Sequence, residues 1–377
     1  MVILFCISHL PAGGAERQVI RDTFLLKESG YQVHIAFGSK IGSLLSSLDP
    51  EVKQHPLGTQ NVVIASYKLQ KLVKSVKADI LLTHMFWANK AGGLCTLFNK
   101  VPFNAFEHGL GLWRNTYHRL WIRMYSSMAN NVVCCSAASL KLRRANDKID
   151  PKKLLVIHNS FRLNKNIDLE PIRNIDSNDL PKKSKAIKEV PKYSLENAEP
   201  FVIGYAGRFH KVKQINVLIQ IAELLKKRST DFKFLLLGDG PEKEGIDQII
   251  REKNLGNYFQ LTGFVKNPES YFEKMNCFVL PSKREDFSLA LIEASNAGLP
   301  CIAFDVGGNS EIIQHEETGF IISPFDIEAM ADKIRWLKEN EKRCEEMGIM
   351  ASEYVQSYFT ENNRLTALQQ LIQKSLV

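Results

Sequence analysis

The sequence predicts an α/β fold with two domains, each a parallel sheet covered by helices on both faces. Short apolar runs alternate with segments of helical periodicity along most of the 377 residues. The runs are apolar throughout instead of alternating with polar residues, which is typical of strands buried on both faces. The predicted strands are Val2–Ile7, Gln32–Phe37, Ile80–Thr83, Asn131–Cys135, Leu154–Ile157, Phe201–Tyr205, Phe232–Leu237, Cys277–Leu280 and, as the last one, Cys301–Phe304.

One stretch interrupts this rhythm and divides the chain. Residues 162–200 have no clean periodicity, are rich in Asn, Asp and Lys, and contain four prolines. Such a segment is typical of an interdomain connection. We therefore expect a first domain at 1–160, a linker at 161–199 and a second domain at 200–354. A C-terminal helix at about 355–377 is expected to pack back on the first domain.

Composition excludes several classes of protein. Hydrophobic residues make up 45% and charged residues 24% of the chain, which excludes a disordered or rod-like architecture. The net charge of +8 permits an anionic partner without requiring one, and no nucleic-acid recognition motif accompanies it. The seven cysteines form no CxxC pair, so we expect reduced thiols in a cytoplasmic protein and no zinc site. No apolar stretch of the sequence is long enough to span a membrane.

The first candidate binding motif is a paired-glycine turn, Gly13-Gly14, after the first strand. Glycines let the backbone turn tightly and let a ligand approach closely, and the next helix offers N–H groups and the positive end of its dipole. The pattern fits a phosphate or carboxylate ligand, and it is also common as a plain structural turn.

The second motif is a pair of cations near a strand end. Gly207 and Arg208 follow a predicted strand, and Lys213 lies five residues beyond the arginine, before a helix. Ligands of open α/β sheets bind outside the carboxyl ends of the strands. Two cations there can neutralise a departing diphosphate, and the alternative is a solvated cationic loop.

The third motif is a pair of glutamates separated by seven residues. Glu285 lies in a loop after a strand, and Glu293 lies in a helix predicted at Phe287–Ala297. Both carboxylates can accept hydrogen bonds from sugar hydroxyls. The first N–H groups of that helix, near Ser288 and Leu289, can meet a phosphate.

A fourth feature is an aromatic and basic helix predicted at Trp113–Met128. Its apolar residues recur at helical spacing, with Arg114, Arg119 and Arg123 among them. One interpretation is an amphipathic helix that covers a sheet. The other is an interfacial or acceptor-facing helix near anionic lipid.

Taken in order, these motifs resemble the large family 4 of retaining glycosyltransferases, which have the two-domain GT-B architecture. The resemblance covers nearly the whole chain. The matching segments are Gly13–Arg17, Val156–Ser160, Gly207–Arg208 with Lys213, Leu237–Glu242, Leu261–Val265, the block with Glu285 and Glu293, Gly298–Pro300 and Asp305–Gly308.

The resemblance implies a nucleotide-sugar donor held mainly by the C-terminal domain and an acceptor held by the N-terminal domain. Arg208 and Lys213 would bind the diphosphate, and Glu285 would hold hydroxyls of the transferred sugar. Glu293 would hold the ribose. His108 resembles the family histidine near the reacting sugar, with the preceding glutamate to orient it, and its alternative is a structural histidine. The other donor-binding residues implied are Gly13, Gly14, Gly207, Phe264, Val265, Phe287, Ser288 and Leu289.

The chain departs from the family pattern at Gln214 and Asp286, where family members often have Gly, and at Ser288, where they often have Gly or a similar residue. Asp286 adds negative charge beside Glu285, so the resemblance says least about sugar selectivity.

The expected function is retaining transfer of a sugar from a nucleotide-diphosphate sugar, with UDP as the expected nucleotide. The expected acceptor is a glycan or lipid-linked saccharide in the biosynthesis of envelope polysaccharide or lipopolysaccharide. No metal or other cofactor is expected, because no DxD-type aspartate pair is apparent. The protein would lie in the cytoplasm, in peripheral contact with the anionic inner face of the cell membrane.

Two alternatives share the fold. A GT-B sugar-nucleotide epimerase would bind the same diphosphate but lacks the block with Glu285 and Glu293 in this setting. A non-catalytic scaffold would be favoured by loss of Arg208, Lys213 or both glutamates, and all four are present.

Overall fold

The computed structural model describes residues 1–10, 13–39, 42, 44–112, 114–161, 200–227, 231–265 and 267–376. The predicted linker beyond Phe161 and the residue Trp113 lie outside this part of the chain. Within the described residues, no helix combines the length and the apolar character needed to cross a membrane.

The N-terminal part of the chain alternates strands and helices. Its strands are β1 (Val2–Ile7), β2 (Gln32–Phe37), β3 (Lys53–Pro56), β4 (Ile80–His84), β5 (Phe103–Glu107), β6 (Asn131–Cys134) and β7 (Leu154–Val156). Its helices are α1 (Gly14–Glu28), α2 (Val62–Val76), α3 (Met85–Thr96), α4 (Thr116–Met128) and α5 (Ala137–Leu142). The strands form one parallel sheet in the order β3-β2-β1-β4-β5-β6-β7.

The C-terminal part repeats the same alternation. Its strands are β8 (Phe201–Ala206), β9 (Phe232–Leu237), β10 (Phe259–Gly263), β11 (Cys277–Leu280), β12 (Cys301–Phe304) and β13 (Gly319–Ile322). Its helices are α6 (Ile215–Lys226), α7 (Lys243–Glu252), α8 (Glu269–Phe272), α9 (Leu289–Asn296), α10 (Asn309–Ile312), α11 (Ile327–Glu339), α12 (Glu341–Tyr358) and α13 (Glu361–Leu376). The second parallel sheet has the order β10-β9-β8-β11-β12-β13.

Both faces of the first sheet are buried. Helices α2, α3 and α4 cover one face, where Leu4 and Leu81 pack with Leu69 of α2 and Ile122 of α4. Helices α1 and α13 cover the other face. This explains why the central strands are apolar on both sides, and the predicted fold class, two parallel-sheet α/β domains, is confirmed.

The last helix, α13, leaves the C-terminal part and lies on the N-terminal sheet. Leu368 and Ile372 share a core with Ile3 and Phe5. Phe161 N donates to Phe359 O (3.1 Å), just before this helix. The chain therefore crosses from one domain to the other twice, once after β7 and once before α13.

The sequence analysis missed four strands, β3, β5, β10 and β13. The prediction that Cys301–Phe304 is the last strand is therefore wrong, because β13 follows it and pairs with it. The predicted helix at Phe287–Ala297 is shorter in the structure, since α9 begins only after Ser288. The aromatic helix predicted from Trp113 begins at Thr116.

Candidate active site

The candidate site lies where the carboxyl ends of the two sheets face each other. Gly14 begins α1 just beyond β1, and Leu289 begins α9 beyond β11. A Cβ atom added to Gly14 would lie 3.6 Å from Leu289 Cδ1. The starts of these two helices therefore nearly touch across the cleft, and both present their positive ends to it.

On the C-terminal side, an ion pair holds the predicted sugar and phosphate residues together. Lys213 ends a 3₁₀ turn after β8, and its Nζ lies 2.5 Å from Glu285 Oε1. Gln214 follows with φ 50°, a left-handed conformation that suits glycine best. The side chain of Arg208 is exposed at the end of β8, and its carbonyl accepts a long hydrogen bond from Tyr205 Oη (3.5 Å).

Helix α9 carries Glu293 beside the cleft. Ser288 is the N-cap residue, and its Oγ accepts from Leu291 N (3.4 Å). Burial raises the pKa of the Glu293 carboxyl, and the guanidinium groups of Arg21 and Arg17 partly offset this rise. Both arginines belong to α1, so charges from the other domain face Glu293.

Two glycines of the cleft are closely approached, and the second of them is required. A Cβ atom on Gly13 would lie 2.2 Å from Glu16 Oε2, which is the end of a flexible side chain and can move aside. Gly307 has φ 60°, and a Cβ atom there would lie 1.6 Å from Glu285 O. The loop after β12 thus supports the backbone of the Glu285 loop.

His108 follows β5 and joins a chain of hydrogen bonds. Its Nε2 lies 2.9 Å from His84 Nδ1, and its Nδ1 lies 3.4 Å from Cys135 Sγ, which is 3.5 Å from Glu107 O. We assign the ring hydrogens by counting donors and acceptors. Each donor has a partner if His84 Nδ1–H donates to His108 Nε2, His108 Nδ1–H donates to Cys135 Sγ, and the Cys135 thiol donates to Glu107 O.

The opposite assignment would leave a buried N–H group on His84 Nε2, an atom for which no partner is found among the described residues. Burial and the nearby charge of Arg364 lower the pKa of His108 to about 4. His108 is therefore neutral at pH 7, with both ring nitrogens engaged.

Glu107 does not orient the His108 ring through a hydrogen bond. Its carboxylate accepts from Asn89 Nδ2 (2.9 Å) and from the side chains of Tyr125 and Arg114. The residues that orient the ring are His84 and Cys135, which corrects the expectation from the sequence.

Hydrogen bonds connect the two domains beside the cleft. Ser136 Oγ donates to Asp286 Oδ1 (2.7 Å). Glu311 of α10 accepts from the N–H groups of Ala137 (2.9 Å) and Ala138 (3.0 Å), which begin α5. Burial raises the pKa of Asp286 to about 6. Asp286, a departure from the family pattern, thus binds the opposite domain.

Three further predicted donor residues are Phe264, Val265 and Phe287. Phe264 is exposed after β10, and Val265 is partly buried beside it. Phe287 is buried, with its ring 4.8 Å from that of His158 and 5.1 Å from that of Phe359. Its side chain packs between the domains, and its backbone carbonyl accepts from Asn159 Nδ2 (3.3 Å).

The structure brings together Lys213, Glu285 and the start of α9, and it places Gly14 opposite them. Roles for these residues stay predictions. Sequence reasoning assigned no role to His84, Ser136, Arg17 or Arg21, although Arg17 ends one of the matching segments. Only the last pair had a usable signal, because arginines four residues apart in the first helix after a glycine turn share one helix face.

Two family models match the chain. The model described as Glycosyltransferase Family 4 matches residues 12–165, and the model described as Glycosyl transferases group 1 matches residues 186–354. Together they cover every strand of the two sheets except β1.

Curated relatives agree with this match. A poly(ribitol-phosphate) alpha-N-acetylglucosaminyltransferase of Staphylococcus aureus (strain COL) is 27% identical over 304 residues, which are 80% of this chain and 57% of that protein. The chain thus spans little more than half the length of this relative. A UDP-Gal:alpha-D-GlcNAc-diphosphoundecaprenol alpha-1,3-galactosyltransferase of Escherichia coli is 23% identical over 339 residues, which are 85% of this chain and 84% of that one.

A solved structure has the same fold. The Anabaena protein HepE, crystallised in complex with UDP-glucose, superposes with a TM-score of 0.77 at 18% identity, covering 100% of this chain and 99% of the other. With two parallel sheets facing one cleft and both family models matched, the chain belongs to glycosyltransferase family 4 and has the GT-B fold.

Proposed function

We propose that this protein transfers a sugar from a UDP-sugar to a saccharide acceptor of the cell envelope, with retention of the anomeric configuration. The observation that carries the proposal is the ion pair between Lys213 and Glu285 (2.5 Å) at the mouth of the second sheet, with Arg208 at a nearby strand end. Cations suit a diphosphate, and carboxylates suit sugar hydroxyls. The name of the E. coli relative and the ligand of the Anabaena structure support UDP as the nucleotide.

In the proposed reaction, the bond between the anomeric carbon and the diphosphate oxygen breaks. The acceptor oxygen forms its bond to the same face of that carbon, and the proton of the acceptor hydroxyl passes to the departing phosphate oxygen. The products are the new glycoside and UDP. Negative charge develops on the diphosphate, where Arg208, Lys213 and the start of α9 stabilise it.

The ion pair prepares the site for this task. Glu285 holds the ammonium group of Lys213 at the cleft before a donor arrives. A side chain that is already ordered loses less conformational entropy on binding, so more of the interaction energy remains for the diphosphate. Glu293, on the next helix, is placed to accept hydrogen bonds from ribose hydroxyls.

His108 takes part as a neutral group. With a pKa of about 4 and hydrogen bonds at both ring nitrogens, it neither accepts nor gives up a proton in the proposed reaction. We assign it to the wall of the sugar site, where His84 and Cys135 keep its orientation. The proton transfer is left to the acceptor and the leaving phosphate.

The acceptor is proposed to be a lipid-linked or polymeric envelope saccharide bound by the N-terminal domain. The printed names of the E. coli and S. aureus relatives refer to a diphosphoundecaprenol-linked saccharide and to poly(ribitol-phosphate). Helix α4 supports peripheral contact with an anionic membrane, because Tyr117 and Leu120 are exposed on it beside Arg119.

The test is a screen of nucleotide sugars by thermal shift, followed by transfer assays with the donor that stabilises most. A ligand that binds only the folded state raises the melting temperature. We expect a UDP-sugar to give the largest shift, and NMR of the product to show the anomeric configuration of the donor. A product with the inverted configuration, or the absence of a shift with every nucleotide sugar, would overturn the proposal.

A further inference from the structure

The positive charge of this chain is concentrated in one segment. Residues 52–146 contain 13 Lys or Arg and 2 Asp or Glu, a net charge of +11, so the rest of the chain has a net charge of −3. This segment includes α2, α3 and α4, and those three helices contain no acidic residue at all. Such an asymmetry points to an anionic partner on one face of the N-terminal domain.

The two acidic residues of the segment do not neutralise that face. Asp79 precedes β4, and its Oδ2 accepts from Val2 N (2.7 Å). Glu107 is buried under α3 and α4 against Asn89 and Tyr125. Arg114 and Arg143 are buried in pairs with Glu107 and Asp147, so they do not reach this face. None of the ion pairs described involves Lys68, Lys71 or Lys74, and these exposed lysines of α2 present their charge to solvent.

The same layer exposes most of the large apolar side chains found at the surface. Twelve large hydrophobic residues are exposed in the described part of the chain, and eight of them fall within this segment. They are Val63, Ile64, Tyr67, Leu97, Phe98, Leu112, Tyr117 and Leu120. Monomeric proteins rarely gather so many exposed apolar groups in one layer unless it binds something.

Cations and apolar groups are interleaved on this layer. Lys71 Nζ lies 4.5 Å from the centre of the Tyr67 ring, and Lys90 Nζ lies 5.3 Å from that of Trp121. Gln70 Nε2 donates to Phe98 O (3.3 Å), which places the end of α3 beside the middle of α2. The three helices thus form one continuous surface.

The chemistry of this surface selects a bilayer over a protein partner. Lysine is depleted at the centre of protein–protein interfaces. Helices that lie in a membrane interface instead combine Lys and Arg with exposed Phe, Leu and aromatic groups. We propose that the surface formed by α2, α3 and α4 docks the enzyme on an anionic lipid bilayer.

An open cleft beside α2 adds a place for a lipid headgroup. It has a volume of about 400 Å³, lies between β3 and α2, and is lined in part by His55, Lys68 and Lys71. The cations of this cleft suit the phosphate of a headgroup. The adjacent Tyr67 and Ile64 would then enter the acyl boundary.

This inference rests on the proposed function, because a lipid-linked acceptor would give the surface its purpose. It extends the earlier expectation from one helix, α4, to three. It also places the strongest cationic cluster on α2, where Lys68, Lys71 and Lys74 follow one another at helical spacing.

The test is co-sedimentation of the full chain with vesicles of phosphatidylcholine alone or mixed with phosphatidylglycerol. We expect binding to the anionic vesicles only, weakened by added salt because salt screens exposed charges. The triple substitution Lys68→Glu, Lys71→Glu and Lys74→Glu should weaken binding by roughly 100-fold or more, since each surface cation contributes about 1 kcal/mol. The double substitution Tyr67→Ser and Phe98→Ser should also weaken it, but with little change in its salt dependence.

The controls are substitutions of the same kinds in the C-terminal domain. One replaces three exposed lysines by glutamate, and the other replaces one exposed aromatic residue by serine. The triple variant Lys227→Glu, Lys233→Glu and Lys342→Glu, at exposed positions, should bind vesicles like the wild type. Phe325→Ser removes an exposed aromatic ring far along the chain, and it should have no effect.

Three results would overturn the inference. They are equal binding to neutral and anionic vesicles, unchanged binding by the Lys68, Lys71 and Lys74 variant, and binding of soluble polyanions such as heparin without vesicle binding.

Thermal shift with UDP separates this inference from the proposed function. If UDP still stabilises the protein while vesicles do not bind, only the docking surface is wrong. If vesicles bind and no nucleotide does, only the proposed function is wrong.

Discussion

The two domains carry opposite charge. Residues 1–161 have 20 Lys or Arg against 9 Asp or Glu, a net charge of +11, whereas residues 200–377 have 21 against 25, a net charge of −4. The proposed donor, a dianionic diphosphate, is nevertheless assigned to the negative domain. A donor site therefore depends on two or three cations placed at a cleft of low dielectric, while docking on a surface depends on bulk charge.

The domains also differ in how they bury charge. The most buried ion pairs described lie in the N-terminal domain or join it to α13, as with Glu107 and Arg114 or Asp22 and Arg364. The pair between Lys213 and Glu285 is more accessible. The N-terminal domain thus places its ion pairs in buried polar networks, whereas the pair proposed for the donor site stays accessible.

The largest expected effect concerns the buried pair that joins the last helix to the N-terminal sheet. Arg364 Nε and Nη2 lie 2.5 Å and 2.6 Å from the two carboxylate oxygens of Asp22. Arg364→Ala leaves Asp22 buried without its partner, so we expect a loss of about 3–5 kcal/mol in the free energy of unfolding. Urea unfolding followed by circular dichroism measures this loss.

The matched control is Arg343→Ala, which breaks an exposed pair with Glu346 on α12. Pairs in water contribute at most about 1 kcal/mol. Equal losses for Arg343→Ala and Arg364→Ala would show that the N-terminal domain does not depend on its buried ions.

The next effect concerns the cations of the proposed donor site. We expect Arg208→Ala and Lys213→Ala each to lower turnover by about 10²–10³-fold with the melting temperature retained, because each removes a group that stabilises developing charge. Lys211→Ala, an exposed lysine on the same 3₁₀ turn as Lys213, should leave turnover unchanged. A uniform loss in all three variants would mean that only the general charge of the loop matters.

A smaller effect is a pH dependence that arises between the domains. Burial raises the pKa of Asp286 to about 6, above the ordinary value of 3.8, so the folded state holds its proton more tightly than the unfolded chain does. The contribution of Asp286 to stability is therefore lost as the pH rises from about 4 to about 6. Asp286→Asn, which keeps an acceptor for Ser136, should raise the melting temperature at pH 7.5 and leave it unchanged at pH 4.

The control for this variant is Asp332→Asn, at an exposed position on α11. It should not reproduce the pH-dependent gain. If Asp286→Asn raises the melting temperature by the same amount at both pH values, the charge of Asp286 is not the cause.

The smallest expected effect is that of metal removal. Because Arg208, Lys213 and the start of α9 are proposed to neutralise the diphosphate, dialysis against EDTA should leave turnover unchanged. Added Mg²⁺ or Mn²⁺ should not raise it. A loss on dialysis that either ion restores would assign part of this task to a metal.

Much of the fold follows from local pattern. The nine predicted strands are all present, since each is a largely apolar run of the kind that parallel sheets bury. Three of the four missed strands lack that signal, and β13 has only the short apolar run 320–322 after a glycine. β3 is an edge strand with the sequence Lys-Gln-His-Pro and is mostly exposed. β5 contains Asn104 and Glu107, which are buried only because Asn131 and Tyr125 bond to them.

The candidate site likewise contains residues that the sequence motifs predict and residues that they do not. Lys213, Glu285 and the two glycines of the first turn stand next to strand ends, so their position follows from the motifs. The partners of His108 and Asp286 do not. His84 and Ser136 are ordinary residues in the sequence, and the hydrogen bonds that they form join residues 24 and 150 positions apart.

The amino-acid sequence by itself determined the two alternating α/β halves, the order of the binding motifs and the excess of cations in residues 52–146. It did so because strand burial, glycine turns and charge are properties of short segments. Only the tertiary structure decided that α13 returns to the first sheet through Arg364 and Asp22, 342 residues apart, and that Asp286 meets Ser136. Such contacts depend on how distant segments pack, and no local periodicity records them.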